Sequence, residues 1–138
     1  MKLQIDLLRP LSRMPQYAKD LDVGADLFLP EDVNIYPGPN KIPLGIAVHI
    51  PNGYVGFVLP RSGISTKFPF NVLSVPIDPS YTGEIHAIVH SSAAIGFSTG
   101  DRIAQLVILP AVRAQFVTDV LGKRGDAGFG STGGVNGN

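Results

Sequence analysis

The sequence predicts an all-β fold, either a sandwich or a jelly-roll-like barrel, on three observations. Sixteen glycines and twelve prolines interrupt the 138 residues so often that few windows remain for a helix of ordinary length. The runs between these breaks are short and rich in Val, Ile, Leu, Phe and Tyr, which strands favour. Turn signals such as Pro51-Asn52-Gly53 separate the runs. Many short strands at this spacing are typical of antiparallel sandwiches and barrels.

The individual elements follow from the same breaks. Residues 62–68 are the one segment with helical character, and Pro69 is expected to end it. Turns are expected at residues 37–40, 51–53 and 100–101. The predicted strands span residues 2–8, 33–36, 42–50, 54–59, 72–77, 84–90, 105–112 and 116–120.

The length of the chain suits one domain and is too short for two. We expect a β-barrel domain over residues 1–121 and a flexible arm over residues 122–138. The arm contains seven of the sixteen glycines, and Val135 is its only branched aliphatic residue. Such a segment buries too little apolar surface to fold alone, so a ligand or a neighbouring subunit would have to order it.

Composition excludes several classes of partner. Lysine plus arginine and aspartate plus glutamate number 11 each, so no global field recruits nucleic acid or an anionic membrane. Cysteine is absent, which removes disulfides, thiolate nucleophiles and cysteine-ligated zinc and suits a reducing compartment. No apolar run approaches the roughly 20 residues of a membrane helix, and the first residues alternate instead of forming a signal core. We expect a cytoplasmic protein that binds neither nucleic acid nor membrane.

Residues 76–84 combine a stiff backbone with reactive chemistry. Two prolines fix φ on both sides of Ile77 and Asp78, and Tyr81 follows shortly after. One acid and one flat ring on a rigid backbone indicate a pocket for a small planar ligand. The alternative is a proline-rich β-turn in which Asp78 caps a loop.

Two segments have the chemistry of phosphate contacts. Arg61 and Ser62 directly follow a predicted strand, and a helical turn after them would aim free amides at an anion; a helix N-cap beside a solvated arginine is the alternative. Residues 124–133 gather a cation, hydroxyls and backbone amides around glycines, without the lysine and helix of a Walker loop. Within them Phe129 is suited to stack on a base, and a disordered tail is the alternative.

Two polar residues stand in apolar surroundings. Gln105 begins an apolar strand and must find partners, for which a phosphate oxygen is one candidate. Asp26 lies in an otherwise apolar segment. A structural ion pair with a buried arginine is favoured there, and contact with metal-bound water is the alternative.

Taken in order, five motifs resemble those of the trimeric dUTP pyrophosphatases. They span nearly the whole chain, and their order and spacing carry the resemblance more than any single motif does. The motifs are Gly24-Ala25-Asp26-Leu27, Pro60-Arg61-Ser62-Gly63, Ile77-Asp78 through Tyr81 to Gly83-Glu84, Gly100-Asp101-Arg102-Ile103-Ala104-Gln105-Leu106, and Arg124-Gly125 with Gly128-Phe129-Gly130-Ser131-Thr132-Gly133.

The resemblance implies a jelly-roll-like β-barrel that forms a homotrimer, with each active site built from motifs of all three subunits. It implies hydrolysis of dUTP to dUMP and diphosphate by attack of water on the α-phosphorus, which limits uracil in DNA and supplies dUMP for thymidylate synthesis. The arm would close over a site on a neighbouring subunit. Mg²⁺ would be held mainly by the three phosphates, with Asp26 touching its water shell.

The resemblance also assigns roles to residues. Asp78 would orient and deprotonate the water, Tyr81 would pack on the deoxyribose and exclude UTP, and a β-hairpin before Asp78 would read uracil through its backbone. Phosphates would be held by the second and fourth motifs and the γ-phosphate by the arm, while Phe129 would stack on uracil. The implied substrate contacts are Arg61, Ser62, Gly63, Asn71, Ile77, Tyr81, Gln105, Arg124, Phe129, Gly130, Ser131 and Thr132.

Departures from the family pattern concentrate just before the third motif. Val75 stands where the family usually has a glycine, and Asn71 is one residue out of register with the usual asparagine. Ser80 replaces a frequent second acid. Two alternatives follow: a deoxycytidine triphosphate deaminase, which shares the fold and part of the pattern, and a non-catalytic nucleotide-binding or protein-interaction module.

Overall fold

The computed structural model describes residues 1–119, which form strands and one short helix, as an all-β fold requires. The strands are β1 (Ile5–Leu7), β2 (Ala25–Leu27), β3 (Val33–Ile35), β4 (Gly38–Val48), β5 (Tyr54–Pro60), β6 (Phe70–Leu73), β7 (Val75–Ile77), β8 (Glu84–Ser91), β9 (Ile95–Phe97) and β10 (Ala104–Pro110). The helix, α1, spans Ile64–Lys67. The all-β prediction is therefore confirmed.

The strands form two four-stranded antiparallel sheets with the orders β1-β4-β8-β6 and β2-β10-β5-β7, and β3 pairs with β9. Side chains alternate between core and surface along β8, where Ile85 and Val89 are buried. They join one hydrophobic cluster with Val58 and Leu106 of the other sheet. The two sheets thus pack face to face in a jelly-roll-like arrangement.

The segment before the third motif differs from its prediction. Residues 72–77 are not one strand, because the chain changes sheets at Ser74: β6 pairs with β8, whereas β7 pairs with β5. No pairing joins β6 to β7 in residues 1–119. The expected hairpin before Asp78 is therefore not formed as a hydrogen-bonded pair of these two strands.

Other boundaries differ for local reasons. Two three-residue strands, β2 and β9, are too short to produce a recognisable alternation. The strand predicted over residues 116–120 is absent from its described part, where Phe116 is 93% exposed. The predicted turn at 37–40 contains the start of β4, because Gly38 adopts a φ of 98° and the chain pairs directly afterwards.

The helix is shorter than predicted and the arm lies beyond the described residues. Helix α1 ends where Phe68, directly before a proline, takes an extended conformation. Across residues 1–119 the single helix has one turn, far below the length and apolarity that a membrane crossing requires. The arm predicted over residues 122–138 lies outside the described part of the chain.

Candidate active site

Asp26 is a buried carboxylate held between two guanidinium groups. Arg61 Nε donates to Oδ1 and Arg102 Nη1 donates to Oδ2, each at 3.0 Å. The carboxylate lies on β2, and its side chain is only 9% exposed. Burying an ion is favourable only when it is paired and hydrogen-bonded. The structural ion pair favoured from the sequence is present, and it contains a second arginine.

Strand β10 brings the first, second and fourth motifs together. It lies between β2 and β5, so that Gln105 is opposite Asp26 and the preceding residue is opposite Pro60. Gln105 Nε2 donates to the Pro60 carbonyl at 2.9 Å. A Cβ on Gly24 would lie 2.0 Å from Gln105 Oε1, so only glycine allows this approach. The sheet register therefore gathers residues that are distant in sequence.

These residues line a surface pocket of about 350 Å³, hereafter the phosphate pocket, bordered by Asp26, Arg61, Ser62, Gln105 and the loop at Lys19. Ser62 is exposed at its mouth. Arg61 and Lys19 contribute positive charge and Asp22 and Asp26 negative charge, while the hydroxyl and amide groups supply neutral donors. The pocket has the donor chemistry of an oxyanion site.

Gly63 turns the chain from β5 into helix α1. Its φ of 77° lies in the left-handed region, which favours glycine. Its carbonyl accepts from the Thr66 hydroxyl at 3.0 Å and from the Lys67 amide at 3.1 Å. Gly63 therefore sets the direction in which Ser62 leaves the strand.

Asp78 lies on a tight turn after β7. The Tyr81 amide donates to the Asp78 carbonyl at 3.0 Å, which closes a β-turn. Asp78 is exposed and borders a pocket of about 1050 Å³ together with Tyr54, Ser80 and Arg113. Among residues 1–119 its carboxylate has no hydrogen-bond partner. The geometry leaves this acid available to a ligand or a water molecule.

Tyr81 is fixed by its hydroxyl and open at its ring. The hydroxyl donates to the Glu84 carbonyl at 2.6 Å, and a Cβ on Gly83 would lie 2.9 Å from it. Gly83 thus makes room for the phenol. The side chain remains 44% exposed and borders a second pocket, of about 290 Å³, with Val75 and Pro76. A held ring with an open face is suited to pack against a ligand.

Glu84 anchors this turn to the N-terminal part of the chain. Its carboxylate accepts from Arg9 Nε at 2.8 Å and Nη2 at 3.0 Å, and from the Gly45 amide at 2.9 Å. These contacts with Arg9, together with the Gly45 amide, hold the pKa of Glu84 below its usual value despite partial burial. The sequence offered no signal for Arg9, because 75 positions separate the two residues.

We expect Glu84→Gln to lower the free energy of unfolding by about 1–2 kcal/mol at neutral pH, because an amide replaces a charge-assisted acceptor. A depressed folded-state pKa stabilises the fold above the unfolded-state pKa, and this contribution disappears as the pH falls through the lower, folded-state pKa. Urea unfolding at pH 7 and at acidic pH measures both effects. The difference between wild type and variant should shrink in acid, and a constant difference would contradict the ionic role.

The remaining site predictions lie in different surroundings. Ile77 is 4% exposed, with its side chain in the core and its backbone paired with Gly56 of β5. Asn71 is exposed on β6 opposite His90, on the other sheet from β7. The arm residues predicted to contact substrate lie outside the described residues: Arg124, Phe129, Gly130, Ser131 and Thr132.

The two groups of site residues lie at opposite ends of β5. Arg61 follows the last residue of β5, whereas Asp78 follows the end of the antiparallel β7 and lies near Tyr54 at the start of β5. From the rise per residue of a β-strand, we estimate that Asp78 and Arg61 of one chain are about 20 Å apart along β5. Their separation along the strands exceeds the length of a triphosphate group.

The described residues form no protein cage for a magnesium ion. In residues 1–119 no three His, Asp or Glu side chains converge to hold a metal ion. Both oxygens of Asp26 are engaged by arginines, which leaves room only for an additional contact through water. Mg²⁺ retains several waters and is commonly bound through one or two carboxylates and substrate phosphates. The residues fit an ion carried by phosphates rather than by a protein cage.

Known proteins are similar to this chain in sequence and in architecture. The family model described as dUTPase matches residues 12–133. The chain is 41% identical to the deoxyuridine 5'-triphosphate nucleotidohydrolase of Leifsonia xyli subsp. xyli, covering 94% of this chain and 91% of that protein. It is also 41% identical to the protein of that name from Anaeromyxobacter sp., with 90% of each chain covered.

Two solved structures are similar. A mutant dUTPase of Staphylococcus bacteriophage 80alpha with dUpNHpp has a TM-score of 0.80 and 28% identity, covering 95% of this chain and 98% of that one. A mutant dUTPase from phage phi11 of S. aureus, in which a structural Mg(II) ion is coordinated, has a TM-score of 0.81 and 28% identity over 86% of this chain and 96% of that one.

Proposed function

This chain belongs to the dUTPase family and is a dUTP diphosphatase, and we propose that it hydrolyses dUTP to dUMP and diphosphate through water activated by Asp78. The observation that carries the mechanism is the fixed turn from Asp78 to Tyr81, which presents an exposed carboxylate beside an open ring. The reaction would limit uracil in DNA and supply dUMP for thymidylate synthesis.

The chemical step assigns one proton transfer to Asp78. Its carboxylate accepts a proton from water while the water oxygen bonds to the α-phosphorus. The bond between the α-phosphorus and the bridging oxygen to the β-phosphorus breaks, and diphosphate leaves with that oxygen. Such transfers depend mainly on position and on electrostatic stabilisation of the phosphoryl oxygens. The rigid turn provides the position, and the phosphate pocket provides the charge.

Asp26 prepares Arg61 for phosphate. Arg61 Nε is bound to Asp26 and Nη1 donates to the Arg102 carbonyl at 2.9 Å, so the guanidinium is fixed before any ligand arrives. The remaining N–H groups are available for phosphate oxygens. Gln105 is likewise oriented by Pro60 and retains one amide hydrogen. A preorganised grip loses less entropy on binding than a mobile one.

Mg²⁺ dependence is part of this proposal. When bound to the substrate phosphates, the ion neutralises charge that develops on the leaving diphosphate. Asp26 would contact it only through water. Removal of divalent ions with EDTA is expected to reduce turnover, with recovery on adding Mg²⁺.

Active sites shared between subunits follow from the distance between the two groups of residues. Because Asp78 and Arg61 of one chain are about 20 Å apart, a complete site takes them from different copies. The resemblance to trimeric enzymes implies three copies, with the arm of residues 122–138 closing each site. A cytoplasmic location, without membrane or nucleic-acid partners, completes the proposal.

Base recognition is proposed to use the backbone of β7. This strand is at the edge of its sheet, so one side of its backbone has no neighbouring strand in the described part of the chain. Pro76 has no N–H group and lies opposite Phe57, so the N–H groups of Val75 and Ile77 face β5 and the free edge presents the Pro76 carbonyl. A base whose hydrogen-bonding edge does not match would leave these backbone groups unpaired. Such a mismatch rejects the base more strongly than a difference in shape alone.

Tyr81 is proposed to distinguish deoxyribose from ribose. We expect Tyr81→Ala to raise the ratio of kcat/KM for UTP to that for dUTP about tenfold, because a 2′-hydroxyl no longer meets the ring. Tyr81→Phe is the matched control, since it removes only the bond to Glu84 and keeps the ring. Steady-state assays with both nucleotides measure the ratio, and an unchanged ratio in Tyr81→Ala would assign sugar selection elsewhere.

A diphosphate-release assay with dUTP, dTTP, dCTP and UTP, with and without Mg²⁺, tests the proposed activity. The expected result is Mg²⁺-dependent release from dUTP with little from the others. Ammonia release from dCTP would instead indicate the deaminase, and the absence of turnover with any nucleotide would indicate the non-catalytic module.

A further inference from the structure

A second pocket lies beside Asp26, distinct from the phosphate pocket. It has a volume of about 400 Å³ and is bordered by Arg13, Tyr17, Phe28 and Arg102. The two pockets share Ala18 and Asp26, but Arg61, Ser62 and Gln105 border only the phosphate pocket. We propose that this pocket beside Asp26, hereafter the Arg13 pocket, binds a small phosphate-type oxyanion.

Arg13 is a cation held in place without a carboxylate. Its guanidinium carbon lies 3.8 Å from the centre of the Phe28 ring, and Phe28 is buried. Across residues 1–119 no acidic side chain forms an ion pair with Arg13. A guanidinium stacked on a ring keeps its N–H groups along its edge, where they can donate to two oxygens of one anion.

Arg102 supplies a second cation to the same pocket. Its Nη1 is bound to Asp26 Oδ2, while its side chain is 44% exposed. Asp26 is the one acid bordering the pocket in the described part of the chain, and its oxygens are already engaged by Arg61 and Arg102. Arg13 and Arg102 therefore border the pocket with a single carboxylate, which is already paired with Arg61 and Arg102. The surplus positive charge favours an anion over a cation or a neutral ligand.

Backbone hydrogen bonds position one wall of the Arg13 pocket. Gln16 and Asp26 exchange two backbone hydrogen bonds, of 3.1 and 2.8 Å, which fix the segment carrying Arg13 and Tyr17 against β2. The Gln16 amide and the Tyr17 hydroxyl add neutral polar groups at the edge of the pocket. Arg13 lies three residues before this pairing, and Arg102 lies two residues before the start of β10.

The Arg13 pocket is connected to the phosphate pocket through Asp26. An anion that attracts Arg102 weakens the bond between Arg102 and Asp26. Asp26 then holds Arg61 more strongly, which makes Arg61 a poorer hydrogen-bond donor to phosphate. Occupancy is therefore expected to lower affinity for dUTP. This coupling rests on the proposed function, whereas anion binding itself does not. Free phosphate, diphosphate released by the reaction and the phosphate group of dUMP share the required chemistry.

Isothermal titration of the full chain, saturated with dUpNHpp to fill the phosphate pocket, tests the site. Inorganic phosphate, diphosphate and dUMP are titrated separately, and the tightest of the three identifies the source of the oxyanion. We expect one anion to bind per chain and Arg13→Ala to weaken binding about tenfold or more. Arg13→Lys should be intermediate, because it keeps the charge and loses the planar fork.

The controls separate this site from the active site. Lys2→Ala removes an exposed cation elsewhere and should bind the anion as wild type does. Because Arg13 is exposed, Arg13→Ala should remain folded, with a urea midpoint only slightly below that of wild type from the lost contact with Phe28. If dUpNHpp does not bind, the proposed function fails, but titration of the free protein still reports whether anion binding depends on Arg13. Because dUpNHpp is expected to weaken the anion in turn, the anions are also titrated into the free protein; equal binding by wild type and Arg13→Ala in both states, or no binding of any of the three anions in either state, would overturn the proposal.

Discussion

Asp78→Asn is expected to lower kcat for dUTP by about 10³-fold, within the range that general-base catalysis contributes. The amide keeps the size of the side chain but accepts no proton from water. Because Asp78 is exposed and its carboxylate has no partner among residues 1–119, the substitution should leave the fold intact. Single-turnover diphosphate release measures the chemical step, and titration with dUpNHpp measures binding, which should remain close to that of wild type.

Asp32→Asn is the matched control for this substitution. Asp32 is an exposed carboxylate whose Oδ1 accepts from the Thr99 amide at 2.8 Å and the Thr99 hydroxyl at 3.0 Å. An asparagine oxygen can keep both bonds, so the change removes charge without disturbing the turn. Asp32→Asn should turn over dUTP normally. If Asp78→Asn lost affinity for dUpNHpp as much as it lost turnover, Asp78 would be a binding residue rather than the base.

The fold class was predictable because it depends on local properties. Glycine and proline breaks leave only short apolar runs, and most of these runs became strands within a few residues of their predicted ends. The exceptions depend on tertiary contacts. Strand β2 exists because β10 pairs with it, and the chain changes sheets at Ser74 because β7 finds its partner in β5. Neither partner is visible in a local window.

The sequence yields candidate residues for the site but not their arrangement. The apolar setting of Asp26 indicated that it needed a partner, yet its sharing between Arg61 and Arg102 depends on the register of β10. The anchoring of Glu84 by Arg9 had no signal at all, since an arginine near the N-terminus reads as a solvated charge. Register and long-range pairing carry this information, and periodicity does not report either of them.

The separation of Asp78 from Arg61 also depends on strand register. It predicts that two variants, each lacking one of these residues, restore activity when they assemble together. Asp78→Asn and Arg61→Gln should each be nearly inactive alone. The amide introduced by Arg61→Gln keeps an N–H group for Asp26, and Arg102 still compensates the carboxylate, so this variant should fold. When equal amounts of the two variants are unfolded and refolded together, random assembly places both intact residues in about one quarter of the shared sites. We expect about that fraction of wild-type activity.

The control distinguishes shared sites from sites within one chain. Wild type is refolded with an equal amount of the double variant that carries both Asp78→Asn and Arg61→Gln. Sites that take Asp78 and Arg61 from different copies are then intact in about one quarter of cases, whereas sites within one chain are intact in about one half. The single-variant mixture is the more decisive measurement, because a site within one chain always lacks one of the two residues there. Recovery near one quarter in both mixtures is expected from the distance between the two ends of β5. An inactive mixture of the single variants would show that one chain brings Asp78 and Arg61 to the same nucleotide.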